Sequence, residues 1–215
     1  YRMAIAPDTW TGPSHASMFT GLLPSQHGVG YVGAPHSDMG VHALDAEVPV
    51  LAERFRDAGY RTAAFVGNEG YLDPVFGLSR GFDRYQRKGM LPAANLVAMV
   101  GPWLRRRQGH SVFVFLNVMD AHEPYAALPP YDTMFPGRMD GLPPRPVPGV
   151  VPDAATAAHY VSQYDGELRY VDDRLAELFV ELRQTGRYDD ALIVVTADHG
   201  ELFGEHGRWG HGGAP

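Results

Sequence analysis

The chain is 215 residues long, 45% hydrophobic and 20% charged, with a formal net charge of −7 and a pI of about 5.8. That length can bury one sizeable core, and that composition excludes wholesale disorder. The acidic balance excludes a broad nucleic-acid-binding face, the absence of cysteine excludes a disulfide framework or thiolate metal site, and no apolar run is long enough to span a bilayer.

In chain order, residues 1–47 are rich in Gly, Pro, Ser and His and hold one short helical pattern. Pro13 suits a first helical position, Ala16, Met18 and Phe19 continue the turn, and Gly21 stops it. Val50 to Ala58 has apolar residues at helical spacing and ends at Gly59. Thr62-Ala63-Ala64-Phe65-Val66 then reads as a buried strand closed by Gly67. Leu96 to Arg107 predicts a helix that Pro102 kinks or divides. Its Arg105-Arg106-Arg107 end, the one basic run, reads as a solvated turn that complements the helix dipole.

The strand Val112-Phe113-Val114-Phe115-Leu116 follows, and residues 126–152, Pro-rich and aperiodic, predict a long surface loop or lid that shapes substrate choice. Ala154 to Arg183 carries the longest helical pattern, with a break expected near Gly166. Leu168, Val171, Leu175, Leu178, Phe179 and Leu182 share one face of its second half. Leu192-Ile193-Val194-Val195-Thr196 predicts another buried strand. Helix-then-strand units with fully apolar strands imply a mostly parallel sheet covered on both faces. Ligands bind such sheets beyond the strands' carboxyl ends. The polar clusters fall there: Asn68, then Asp120 and His122, then Asp198 and His199.

Each cluster taken alone has two readings. Asp198-His199 is a carboxylate–imidazole pair suited to a divalent ion, or else a helix cap beside loop histidines. His122 can act on a substrate oxygen as a general acid, or it and Asp120 can bond across the turn before Pro124. Thr11 sits where a helix N-terminus favours an anionic ester, and an N-cap role accounts for it equally.

Together the segments resemble the sulfatase family of the alkaline phosphatase superfamily. Thr11-Gly12-Pro13-Ser14-His15-Ala16-Ser17-Met18-Phe19-Thr20-Gly21 with Leu23-Pro24-Ser25-Gln26-His27-Gly28-Val29 is similar to the family signature. That signature opens with Cys or Ser, any residue, Pro, Ser and Arg, passes through a small-residue helix to Thr-Gly, and goes on to Pro and His-Gly-Val. Met119-Asp120-Ala121-His122-Glu123-Pro124-Tyr125 resembles the family's Asp-Pro-His-x-Pro-Tyr segment, and Thr196-Ala197-Asp198-His199-Gly200-Glu201 resembles its Ser-Asp-His-Gly-Glu metal motif.

The resemblance implies a three-layer α/β/α sandwich with a mostly parallel sheet, and it reads residues 1–215 as one partial catalytic domain incomplete at both ends. The family's first strand, with its acidic metal-binding pair, is expected before Tyr1, and its last strands and C-terminal subdomain after Pro215. It further implies a metal-dependent hydrolase of phosphate or sulfate esters in which Thr11, His122 and His211 are catalytic and His15 and Asn68 contact substrate. Asp198, His199 and Thr11 would hold one divalent ion (Ca, Mn, Mg or Zn). His15 also admits a supporting role, as does His206. The substrate would be a small-molecule, lipid or glycan ester, with no nucleic-acid partner and no membrane span in this segment.

Two departures shift the chemistry. Family nucleophiles are Cys or Ser oxidised to formylglycine, whereas oxidising the secondary alcohol of Thr11 would give a ketone; His15 also stands where the oxidation signature has Arg. Relatives that keep an unmodified Thr include nucleotide phosphodiesterases and phosphoethanolamine or glycerol-phosphate transferases. Phosphodiester or phosphomonoester hydrolysis, or phosphotransfer, is therefore favoured over sulfate hydrolysis. The alternative is a degenerate, non-catalytic module that binds an anionic ester.

Overall fold

The computed structural model describes residues 3–30, 42–87, 89–147 and 149–212. Of the Gly- and His-rich opening stretch, residues 1–2 and 31–41 therefore lie outside the description.

Helix α1 spans Thr11–Thr20, two residues earlier than Pro13 suggests, and Gly21 closes it in the left-handed region at φ 73°. Pro13 is then the third helical residue, still among the first N–H positions that lack an intrahelical acceptor, so its missing hydrogen costs nothing. A single turn, α2 (Pro24–His27), follows. His27 ties the two together: its Nδ1 accepts from Val29 N–H at 3.0 Å, which leaves Nε2 to donate to Ser17 Oγ at 3.0 Å. Helix α3 (Leu51–Asp57) leads to strand β1 (Arg61–Val66) as expected.

Strand β2 (Arg84–Arg87) has no apolar alternation and escapes the sequence reading. It sits at the edge of the sheet, where polar side chains are tolerated. The buried Thr62 side chain locks the approach to it. Its hydroxyl donates to Gly81 O at 2.7 Å and accepts from Asp83 N–H at 2.8 Å.

Helix α4 (Ala93–Arg105) runs through Pro102 as one helix. The proline lies in its last turn, so only the end of the hydrogen-bond ladder is interrupted. Strand β3 (Val112–Asn117) then pairs with β1, and the sheet order is β2-β1-β3, all parallel.

Alternation along the strands sorts the two faces. Ala64, Val66, Phe113 and Phe115 pack with Trp10, Ala16 and Phe19 on the α1 side, where Phe55 of α3 also stacks on Phe113. Ala63, Phe65, Val112, Val114 and Leu116 pack with Leu96, Val100, Trp103 and Leu104 of α4 on the other face. Helix α5 (Ala154–Gln184) adds Leu178 and Leu182 to that second face. The result is the expected α/β/α layering.

One expectation fails along α5. The helix does not break at Gly166 but runs unbroken for 31 residues. Gly166 is there for space: a Cβ would lie 2.6 Å from Tyr131 O and 2.8 Å from Ala127 Cβ. The described residues of 126–152 form the expected long surface loop, apart from one short turn at Tyr131–Thr133. Tyr131 OH donates to Asp173, Gln163 donates to Asp132 O, Tyr160 OH donates to Pro143 O, and Met139 N–H donates to His159. These bonds strap the segment along α5.

A second failed expectation concerns residues 192–196. They form no strand hydrogen bonds, and Leu192, Val194 and Val195 are 92%, 73% and 69% exposed. Arg187 donates to His110 O and Arg107 O just before β3 begins, while Asp198 lies beside His15, whose ring meets Phe115 near the end of β3. The run therefore travels in the β3 direction without pairing to it. Among the described residues it has no partner strand, so an apolar pattern that demands burial is left uncovered. Beyond it, β4 (Leu202–Phe203) and β5 (Trp209–Gly210) form a short antiparallel pair.

Candidate active site

All three motifs meet at the carboxyl end of the sheet. The first is presented by α1, whose N-cap is Trp10 in extended conformation. No side chain caps that end, and no acidic residue stands in its first turn, so the positive end of the helix dipole is left uncompensated. Thr11 is the first helical residue and is buried.

His15, one turn on, joins this end to the last motif. Its Nδ1–H donates to Thr11 O at 2.9 Å and lies 3.4 Å from Asp198 Oδ2. Burial lowers the His15 pKa, outweighing the attraction of Asp198, so the ring is held neutral. That position argues for a role in joining α1 to the Asp198 turn, the supporting role allowed for it.

Asp198 does not cap a helix; its Oδ1 accepts from His199 N–H at 3.1 Å within a bend. His199 gives its Nδ1–H to Gly200 O at 2.9 Å, which turns the Nε2 lone pair toward Asp198 Oδ2, 3.6 Å away. Two acceptors thus face one another. Their separation is close to what two bonds of about 2.1 Å to one cation, at a near-tetrahedral angle, would require. Donation of the other ring N–H to a carbonyl is also the usual support of a metal-bound imidazole. The pair fits a divalent ion in donor type and spacing. Among the described residues no group of three or more His, Cys, Asp and Glu side chains gathers around it, so the set is partial.

His211 lies between the other two imidazoles, its ring centroid 4.4 Å from His199 and 4.9 Å from His122. Both carboxylate oxygens of Glu201 accept from its Nδ1, at 3.0 and 3.1 Å, and this bond raises the His211 pKa. Glu201 was visible in the motif but was given no role there; only the folded hairpin brings it onto His211. The His211 loop is pinned to the first motif as well, since Gly212 N–H donates to Thr9 O at 3.0 Å.

His122 donates Nδ1–H to Glu123 O at 2.7 Å, leaving Nε2 as the nitrogen able to meet a substrate. It does not bond to Asp120, whose Oδ2 instead accepts from Ala93 N–H at the start of α4 at 2.8 Å. A cavity of about 150 Å³ opens beside it, with Met90, Leu91, Pro92, Met119 and Pro124 as the apolar wall and Asp120, Glu123 and Glu167 as carboxylates. The buried Asn68 accepts from Tyr71 N–H at 2.9 Å, a bond that serves the turn after β1. His206 is exposed and stands apart from these contacts.

The profile described as Sulfatase matches residues 2–215. The chain belongs to the sulfatase family. The multifunctional alkaline phosphatase superfamily protein PehA of Trinickia caryophylli is 28% identical over 137 residues, which are 48% of this chain and 26% of PehA. The phosphonate monoester hydrolase of Agrobacterium radiobacter superposes with a TM-score of 0.77 at 20% identity, covering 97% of this chain and 57% of that one. The C-terminal periplasmic domain of the phosphoethanolamine transferase EptC from Campylobacter jejuni superposes with a TM-score of 0.64 at 18% identity, covering 98% of this chain and 61% of that domain. These likenesses establish the shared sulfatase-family fold, and this chain spans well under two thirds of each relative's length. No helix among the described residues is long and apolar enough to cross a membrane.

Proposed function

We propose that the protein containing this chain hydrolyses or transfers phosphate esters through a covalent intermediate on Thr11. The supporting observation is the double engagement of His15 Nδ1, by Thr11 O and by Asp198, which draws the open N-terminus of α1 and the Asp198–His199 pair to one place. Members of the superfamily generally use a divalent metal ion. A divalent ion held by Asp198, His199 and Thr11 would supply positive charge that lowers the pKa of a neighbouring hydroxyl and withdraws charge from the ester.

The chain's own residues carry the remaining work. The N-terminus of α1 receives the anionic ester. Thr11 Oγ gives its proton to solvent water and attacks phosphorus in line, forming a phosphothreonine ester as the bond to the leaving alkoxide breaks. His211, whose charged form Glu201 favours, gives that alkoxide a proton, as can His122 once its Nε2 has taken one up. Water or a second alcohol then attacks the same phosphorus, and the Thr11 hydroxyl is regained on reprotonation. Phosphorus is favoured over sulfur as the reacting centre because threonine cannot supply the aldehyde of a modified nucleophile.

The test is turnover of aryl phosphodiester, phosphomonoester and sulfate-ester substrates by the full-length protein, with and without added divalent metal. Phosphate esters should turn over faster than sulfate esters. Thr11→Ala should lower turnover by about 10³-fold or more even in samples that elemental analysis shows to be fully loaded with metal. An active Thr11→Ala protein would remove the nucleophile. Tight binding of these esters with no turnover under any metal would favour the non-catalytic module.

A further inference from the structure

Glu167 makes a pair of contacts that the reaction outlined above does not use. It projects from the middle of α5 and accepts from two separate amides of the turn after β3: Ala121 N–H on Oε2 at 3.1 Å and Ala126 N–H on Oε1 at 3.0 Å. His122 lies between those two anchor points.

The turn needs such a hold. Ala121 adopts φ 78°, a left-handed conformation that residues with a Cβ rarely take, and this residue sets the direction in which His122 leaves the sheet. Approach of α5 to the segment that follows is equally specific. The neighbouring Gly166 permits contact with Ala127 and Tyr131 that no other residue would allow. Gly166 thus brings the helix in, and Glu167 fastens the turn to it.

We infer that Glu167 is the positioning residue for His122, its two carboxylate oxygens gripping the turn on both sides of the imidazole. The inference rests on the reading that His122 serves phosphate-ester chemistry. Burial pushes the Glu167 carboxyl up to about 7, opposed by the Ala126 and Ala121 amides and reinforced by Asp120. Burial at that cost fits a group retained for its geometry. Glutamine at this position keeps one acceptor oxygen and sets an NH₂ against the second amide; alanine removes both acceptors.

The test uses the full-length enzyme with Glu167→Gln, Glu167→Ala, His122→Ala and the His122→Ala/Glu167→Gln double variant. Glu167→Gln should lower kcat about 10-fold with KM within about 2-fold, and Glu167→Ala should lower it further, toward the loss seen with His122→Ala. The double variant should be no slower than His122→Ala, because a residue that acts through another adds nothing once that other is gone. Hydrogen exchange at the Ala121 and Ala126 amides should quicken in both Glu167 variants while α4 amides keep their protection. Losses that multiply in the double variant, or Ala121 and Ala126 amides that exchange as in the wild type, would overturn the inference. A Thr11→Ala protein without turnover alongside a silent Glu167→Gln sinks this inference alone. An active Thr11→Ala protein sinks the covalent reading but leaves the amide-exchange result to stand.

Discussion

At the scale of single residues, the site is organised by which partner each histidine ring meets. His15 and His27 are buried and driven toward neutrality by desolvation, whereas His211 is drawn toward the charged form by Glu201. The three imidazoles are therefore biased in opposite directions though they share one residue type. Glu201→Gln should bring the His211 pKa back down, as read from its imidazole C–H shifts in an NMR titration. Because the folded pKa is raised above 6.5, the pair's stabilisation is complete below that value and is lost as pH climbs through the higher folded one. Wild type should accordingly lose stability in that window relative to Glu201→Gln, as judged by urea midpoints. Equal pH slopes would mean that Glu201 does not hold His211 protonated. None of this could be read from Gly210-His211-Gly212 as a string, because Glu201 is ten residues away and is brought close only by the β4–β5 turn.

At the scale of elements, two helical glycines that look alike in sequence should behave in opposite ways. A Cβ at Gly166 meets a backbone carbonyl of the strapped 126–152 segment, which cannot move without dragging its other hydrogen bonds. Gly166→Ala should destabilise by about 1–3 kcal/mol despite the better helix propensity of alanine. A Cβ at Gly101 meets the outer atoms of the Glu181 side chain at 2.8–3.0 Å, and that side chain can swing aside at the expense of an exposed ion pair with Arg105. Gly101→Ala should be neutral or stabilising by up to about 1 kcal/mol. Urea denaturation of both variants checks the contrast; a costless Gly166→Ala would show that the segment yields. Helices α1, α3, α4 and α5 and strands β1 and β3 were legible because their apolar spacing matches their period. Strand β2 was not, since Tyr85 is its one apolar side chain and the backbone pairing that joins it to β1 leaves no apolar pattern.

At the scale of the whole molecule, the uncovered run at 192–196 is the largest difference between pattern and structure. Its sequence is that of a buried strand, and its course follows β3 at a side where β3 has no partner. A protein of these 215 residues should show rapid amide exchange at Val194 and Val195 and should bind a hydrophobic dye, with Val194→Lys reducing the dye signal. In a longer protein that supplies a strand on this side, the same amides should be protected. Slow exchange in the short chain would mean that the run is already paired.

What the amino-acid sequence determined by itself was the layering and the set of candidate side chains for the site. Apolar periodicity is local, and each of the three polar motifs is a contiguous stretch of chain. What only the tertiary structure decided was how those side chains combine: that Asp198 reaches His15, that Glu201 accepts from His211, and that Glu167 grips the turn around His122. Contacts between groups ten or more residues apart leave no periodic trace. They depend on the packing of whole helices against the sheet, which brings together atoms that the order of the chain keeps apart.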